Sequence, residues 1–141
     1  MRRAVIVAVI GALASSPVGL AQLPRPTFAW WSSPIAQDLK LSDEQRKQIR
    51  LTIKDYRPRL LELRASLERA ESDLEAEFNQ SSVDTRKAND AIDRFASARG
   101  DLTRTLSQMS LKLRTVLKAE QWEELQRKLD ARAQEKKAGQ P

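Results

Sequence analysis

Residues 49–78 read IRLTIKDYRPRLLELRASLERAESDLEAEF, and the placing of the apolar side chains in that run decides the fold. Ile49, Ile53, Tyr56, Leu60, Leu63, Leu67, Ala70, Leu74 and Phe78 are spaced 4-3-4-3-4-3-4-4. A helix gathers residues three and four apart onto one side, whereas a strand would need alternation with a period of two. The run is therefore one long amphipathic helix, and its repeat, near 3.5 residues, is that of helices packed along their length.

Working outward, Asn79 to Ser82 supply turn chemistry, and Ser82 or Asp84 can cap the next helix. A second seam then runs through Ala88, Ile92, Phe95, Ala98, Leu102, Leu106, Met109, Leu113 and Val116. So short a connection makes the two helices antiparallel. Each is about 35 residues, or about 50 Å at 1.5 Å per residue, so an elongated hairpin is expected. Two helices leave their seams half-covered, and a further helix or a second chain has to complete the core. Residues 117–121 (LKAEQ) begin such a helix, with Trp122, Leu125 and Leu129 at 3-4 spacing. From about Ala131 to Pro141 the period is lost, and residues 131–141 are expected to be a flexible tail.

Before the first long helix, residues 22–33 (QLPRPTFAWWSS) carry two prolines and no helical period, so an irregular arm bearing Phe28, Trp30 and Trp31 is expected. Ser33 with Pro34 behind it opens a short helix to about Leu39. Ser42 then precedes Asp43, Glu44 and Gln45, which gives a capping box with Leu41 as its staple. The fold class is all-α: a long antiparallel hairpin with a short N-terminal and a C-terminal helix, residues 34–130 forming one domain.

The first residues have a separate meaning. Arg2 and Arg3 lead into an apolar run from Ala4 to Leu13, and Gly19-Leu20-Ala21 offers a small-x-small cleavage site before Gln22. This is the pattern of a secretory signal peptide over residues 1–21, too short an apolar run to span a bilayer. Cleavage would leave 120 residues and take away Arg2 and Arg3, lowering the formal charge from +6 to +4. The expected location is the periplasm, with no membrane insertion after cleavage, and export disfavours a nucleic-acid partner.

Composition excludes much chemistry. There is no cysteine and no histidine, so disulfides, thiolate metal sites and most hydrolase triads are out of reach. No phosphate loop, nucleophile elbow or isolated acid/base pair appears, so no enzyme, catalytic residue or cofactor is expected. Glu71 with Glu75 and Asp73 with Glu77 share helical faces, but they lack the loop geometry and ligand count of a calcium site, and no metal site is assigned.

Charge is segregated. Residues 40–59 hold seven basic and three acidic side chains, 104–118 add four basic and no acid, and 62–77 hold six acids against Arg64 and Arg69. The basic stretches fall at the open end of an antiparallel hairpin, where they would steer acidic or unfolded partners or simply form a solvated surface. Leu51, Leu61 and Leu111 lie off the seams. With Trp30, Trp31, Arg57 and Arg104 they are the candidate client-binding residues, although a dimer mate or another part of the fold would use the same apolar surface. Pro58 lies in the middle of the first long helix and Gly100 in the second. A bend at Pro58 would shape a concave face or follow a packing partner, and Gly100 is read as a close packing point.

The segments Leu41-Ser42-Asp43-Glu44-Gln45 and Leu117-Lys118-Ala119-Glu120-Gln121 resemble the paired Leu-Thr-x-x-Gln motifs of the Spy/CpxP family, to which ZraP and the CnrX-type periplasmic metal sensors are related. The resemblance covers roughly residues 30–130. Leu41, Ser42, Gln45, Leu117, Lys118 and Gln121 are the motif positions, with a structural capping role. Serine replaces threonine in the first motif, and Lys118 cannot cap as threonine does. The resemblance implies a periplasmic, ATP-independent chaperone or stress-response protein, a cradle-shaped homodimer that binds unfolded clients. In the alternative it implies a sensor or adaptor docking on an inner-membrane regulator. Metal-binding members use histidines, which this chain lacks.

Overall fold

The computed structural model describes residues 29–139. The signal sequence expected over residues 1–21, and Phe28, lie outside them. The described chain is helical throughout: a 3-10 turn Trp30–Ser32, then α1 Ile35–Asp38, α2 Asp43–Phe78, α3 Thr85–Val116 and α4 Ala119–Ala138. This is the all-α hairpin with a short N-terminal and a C-terminal helix that the spacing predicts.

Local chemistry accounts for the boundaries. The Ser33 hydroxyl accepts the Ile35 N–H at 3.1 Å and opens α1. Ser42 and Gln45 form the reciprocal box at the start of α2, Ser42 Oγ accepting the Gln45 N–H at 3.1 Å and Gln45 Oε1 the Ser42 N–H at 2.9 Å. Of the two candidates for α3, Asp84 is the cap: its Oδ1 accepts the N–H groups of Arg86 and Lys87 at 3.0 and 3.2 Å.

The chain forms two compact units. In the one made of residues 28–60 and 104–141, α1, the first half of α2, the end of α3 and α4 share a core. Trp30, Ile35, Leu39, Leu41, Ile49, Met109, Leu113, Leu117 and Leu125 are buried in it, with Ile53, Tyr56, Leu60, Leu106 and Trp122 packed at its edge. Seam residues of both long helices are thus completed by α1 and α4. Two cations lie over rings at this core's margin: Lys112 Nζ is 5.2 Å from the Tyr56 ring centre, and the Arg114 guanidinium 4.3 Å from that of Trp122.

The other unit, residues 61–103, holds two helical segments joined by the turn at 79–84. Its buried apolar residues are Leu63, Ala70, Ala88 and Ala91. Alanine at facing positions lets helix backbones come close, but each contributes little area at ~25 cal/mol per Å². Asp73 and Arg94 bridge the helices at 3.3 Å. Both are more than half exposed, so the pair adds at most about 1 kcal/mol.

Several expectations are corrected. The second seam passes through Ala91, wholly buried, and not through Ile92, which is 40 % exposed. Close helix approach favours the smaller residue and turns the larger one outward. Gly100 is no packing point, since a Cβ there would meet nothing within 4 Å. Pro58 lies inside α2, where the sequence places it, and is exposed. The arm is not irregular at its end, because Trp30–Ser32 forms a 3-10 turn. Residues 131–138, expected to be a flexible tail, continue α4, being rich in Ala, Arg, Gln, Glu and Lys, all good helix formers. Among the described residues no helix is long and apolar enough to cross a membrane.

Candidate functional site

The two motifs meet. Gln45 Nε2 donates to Gln121 Oε1 at 2.7 Å, and Gln121 Nε2 donates to Gln45 Oε1 at 3.1 Å. Gln121 Oε1 also accepts the Lys118 N–H at 3.0 Å, as Gln45 Oε1 accepts that of Ser42. The remaining amide protons go to chain ends, from Gln45 to the Val116 carbonyl at 2.9 Å and from Gln121 to that of Leu39 at 3.3 Å. These are the carbonyls that helices leave unpaired where they stop. The two glutamines therefore join the end of α1, the start of α2, the end of α3 and the start of α4 in one satisfied network. Leu41 and Leu117 of the motifs are buried beneath it. Lys118 has no side-chain acceptor, so only the Gln121 half of the second box forms.

The predicted client-binding residues separate. Trp30 is only 4 % exposed and belongs to the core, its ring edge-on to Trp31 with centres 5.9 Å apart and planes at 83°. It is not a contact surface. Trp31 is half-buried and remains at the surface. Leu51 and Leu111 are exposed, at 48 % and 64 %, each two residues and so about 200° round its helix from buried Ile49 or Met109. Leu51 has the exposed Lys47 and Lys54 for helical neighbours. Arg57 and Arg104 are exposed in the same unit, and Leu61 is exposed in the other.

A groove went unread in the sequence. Between the 3-10 turn, α1 and the first turns of α2 lies an open depression of about 320 Å³. Leu41 and Ile49 form its floor, Trp31, Pro34 and Ala36 its apolar wall, and Arg46, Arg50 and Gln37 its polar rim. The only signal was a pair of arginines four residues apart directly after a capping box, which looks the same as an ordinary solvated helix face.

The electrostatics of each unit match the charge segregation. The unit of residues 28–60 and 104–141 carries sixteen basic against nine acidic side chains, net +7, and residues 61–103 six against ten, net −4. Glu124 is held below the ordinary carboxylate pKa, first by its hydrogen bond from Arg127 and then by the charges of Arg127 and Lys128. Lys128 also reaches Asp38 at 3.4 Å, tying α4 to α1. Among the described residues no group of three or more His, Cys, Asp or Glu side chains could hold a metal ion.

The all-helical fold is of a non-enzymatic type of protein, and so is the family that the sequence matches. The chain belongs to the heavy-metal resistance family, whose model matches residues 4–124. That family is related to the Spy/CpxP and ZraP proteins. Neither a curated protein nor a solved structure matches the chain.

Proposed function

We propose that this protein is a periplasmic, ATP-independent chaperone of the Spy/CpxP type, binding unfolded or stress-exposed clients as a homodimer. It carries no catalytic site in this reading. The observation that carries it is the surface of the +7 unit, where exposed Leu51 and Leu111 and half-buried Trp31 lie among exposed cations. Shallow apolar patches mixed with charge suit partners that present many sequences weakly. The Leu-x-x-x-Gln pair at 41–45 and 117–121, and the membership of the heavy-metal resistance family, support the same assignment. Suppression of aggregation of a chemically denatured substrate tests it. Stoichiometric protein should suppress aggregation at low salt, and no suppression would overturn the reading.

The family's description favours a second reading, a sensor or adaptor that reports metal stress to an inner-membrane regulator. With neither histidine nor cysteine in the sequence, direct metal sensing would rest on carboxylates alone, which hold transition metals less well than imidazole or thiolate. Calorimetry with zinc, nickel and copper separates the two. Binding tighter than about micromolar would favour the sensor.

A further inference from the structure

The geometry points to the Trp31–Arg46–Arg50 groove as a peptide-docking site for segments that place a carboxylate beside a large apolar residue. This deepens the chaperone reading and rests on it, since it names the client chemistry.

The floor is apolar and already buried, with Leu41 and Ile49 at 9 % and 6 % exposure, so an incoming side chain would meet a preformed surface. Trp31 walls it, held edge-on by Trp30, whose ring is fixed in the core. A ring anchored in this way loses little freedom on binding.

On the rim, Arg46 and Arg50 are exposed, one helical turn apart, and their guanidinium groups have no hydrogen-bond or ion-pair partner among the described residues. Guanidinium groups pair bidentately with carboxylates. Two of them beside an apolar floor select an anionic group joined to an apolar one, and repel cationic segments. Gln37 adds a side-chain amide, likewise without a partner among the described residues, that can donate to and accept from a peptide backbone. That last group matches a peptide backbone, which offers N–H donors and carbonyl acceptors side by side.

The test is a polarisation titration with a short fluorescein-labelled peptide in which Asp alternates with Phe, using the full protein. The peptide should bind, and Arg46→Gln/Arg50→Gln should weaken binding at least tenfold. Trp31→Ala should weaken it as well. Lys136→Gln/Lys137→Gln removes the same charge from exposed positions near the end of α4 and should change binding less than about twofold. Circular dichroism should be the same for all variants. The inference is overturned if the lysine variant loses as much as the arginine variant, if the arginine variant binds like the wild type, or if Asn in place of Asp leaves affinity unchanged. Displacement of the peptide by phosphatidylglycerol vesicles would assign the groove to a lipid surface and overturn it too. So would a shift of the arginine variant to a smaller species in sedimentation, which would place a second copy there. Because the titration contains no denatured substrate, the two readings fail separately. Suppression without arginine-dependent peptide binding sinks the groove alone, and arginine-dependent binding without suppression sinks the chaperone reading alone.

Discussion

The side-chain amides of Gln45 and Gln121, 76 residues apart in sequence, donate to and accept from each other, and each also serves the backbone of its own helix start. Every amide proton and both carbonyl oxygens are used. Only glutamine can do this at these positions: glutamate would lose two donors, and leucine would leave the Ser42 and Lys118 N–H groups and the Val116 and Leu39 carbonyls with fewer partners. The recurrence of glutamine at the end of each motif thus has a physical reason beyond capping.

The two amides should therefore be coupled in stability. Gln45→Ala and Gln121→Ala should each destabilise the protein by about 1–3 kcal/mol, because each leaves partly buried polar groups unpaired. The double variant should cost less than the sum of the singles, by about 0.5–3 kcal/mol. Urea unfolding followed by circular dichroism measures all three. Strict additivity would show that the two amides act only as separate caps.

The hairpin and the four helix starts were legible in the sequence because period and capping chemistry are local. The clasp was not, since each motif reads as complete by itself and their meeting depends on how α4 packs. The Ala91 seam was hidden for a related reason. Periodicity ranks Ile92 above its smaller neighbour, whereas close packing of two helices prefers the alanine. Trp30 sits in a proline-flanked stretch that resembles a surface arm, and only the closure of α1 onto α4 makes it core. The groove joins three segments whose polar residues look solvated when read singly.

Trp30 and Trp31 should respond differently to removal. Trp30→Ala empties a core position and should cost about 3–5 kcal/mol, with loss of helicity at modest urea. Trp31→Ala removes a half-buried ring and should cost well under half of that. Equal losses in an unfolding titration would put both rings in the core and remove Trp31 from any binding surface.

Gly100 lies in the middle of α3 with open space where a Cβ would stand. Gly100→Ala should stabilise the protein by about 1 kcal/mol, the difference in helix propensity, seen as a rise of a few degrees in Tm. A fall in Tm would show that the glycine is needed for something the α3 packing does not display, such as close approach of a partner.

Glu124 should titrate below the ordinary carboxylate range because Arg127 and Lys128 stabilise its charged form. A depressed folded-state pKa means that its contribution to stability is fully present above the unfolded value of about 4.5 and is lost as pH falls through the folded value. Carbon-detected NMR titration of the Glu124 carboxyl should show a midpoint below that of free glutamate. Arg127→Gln, which removes the first cause of the shift, should move the midpoint back up.

Pro58 carries the sharpest division between folding and function. It lies inside α2, exposed, with no N–H to offer the Lys54 carbonyl one turn before. Pro58→Ala restores that hydrogen bond and relieves the ring's clash, so it should stabilise the helix by about 1–3 kcal/mol. If the proline serves only to accommodate packing, the variant should suppress aggregation as well as the wild type does. If a bend at Pro58 shapes the client surface, the variant should be more stable in urea yet weaker in suppression. Measuring both on one preparation decides, since a stabilised but less active protein is the outcome a mere packing kink cannot produce.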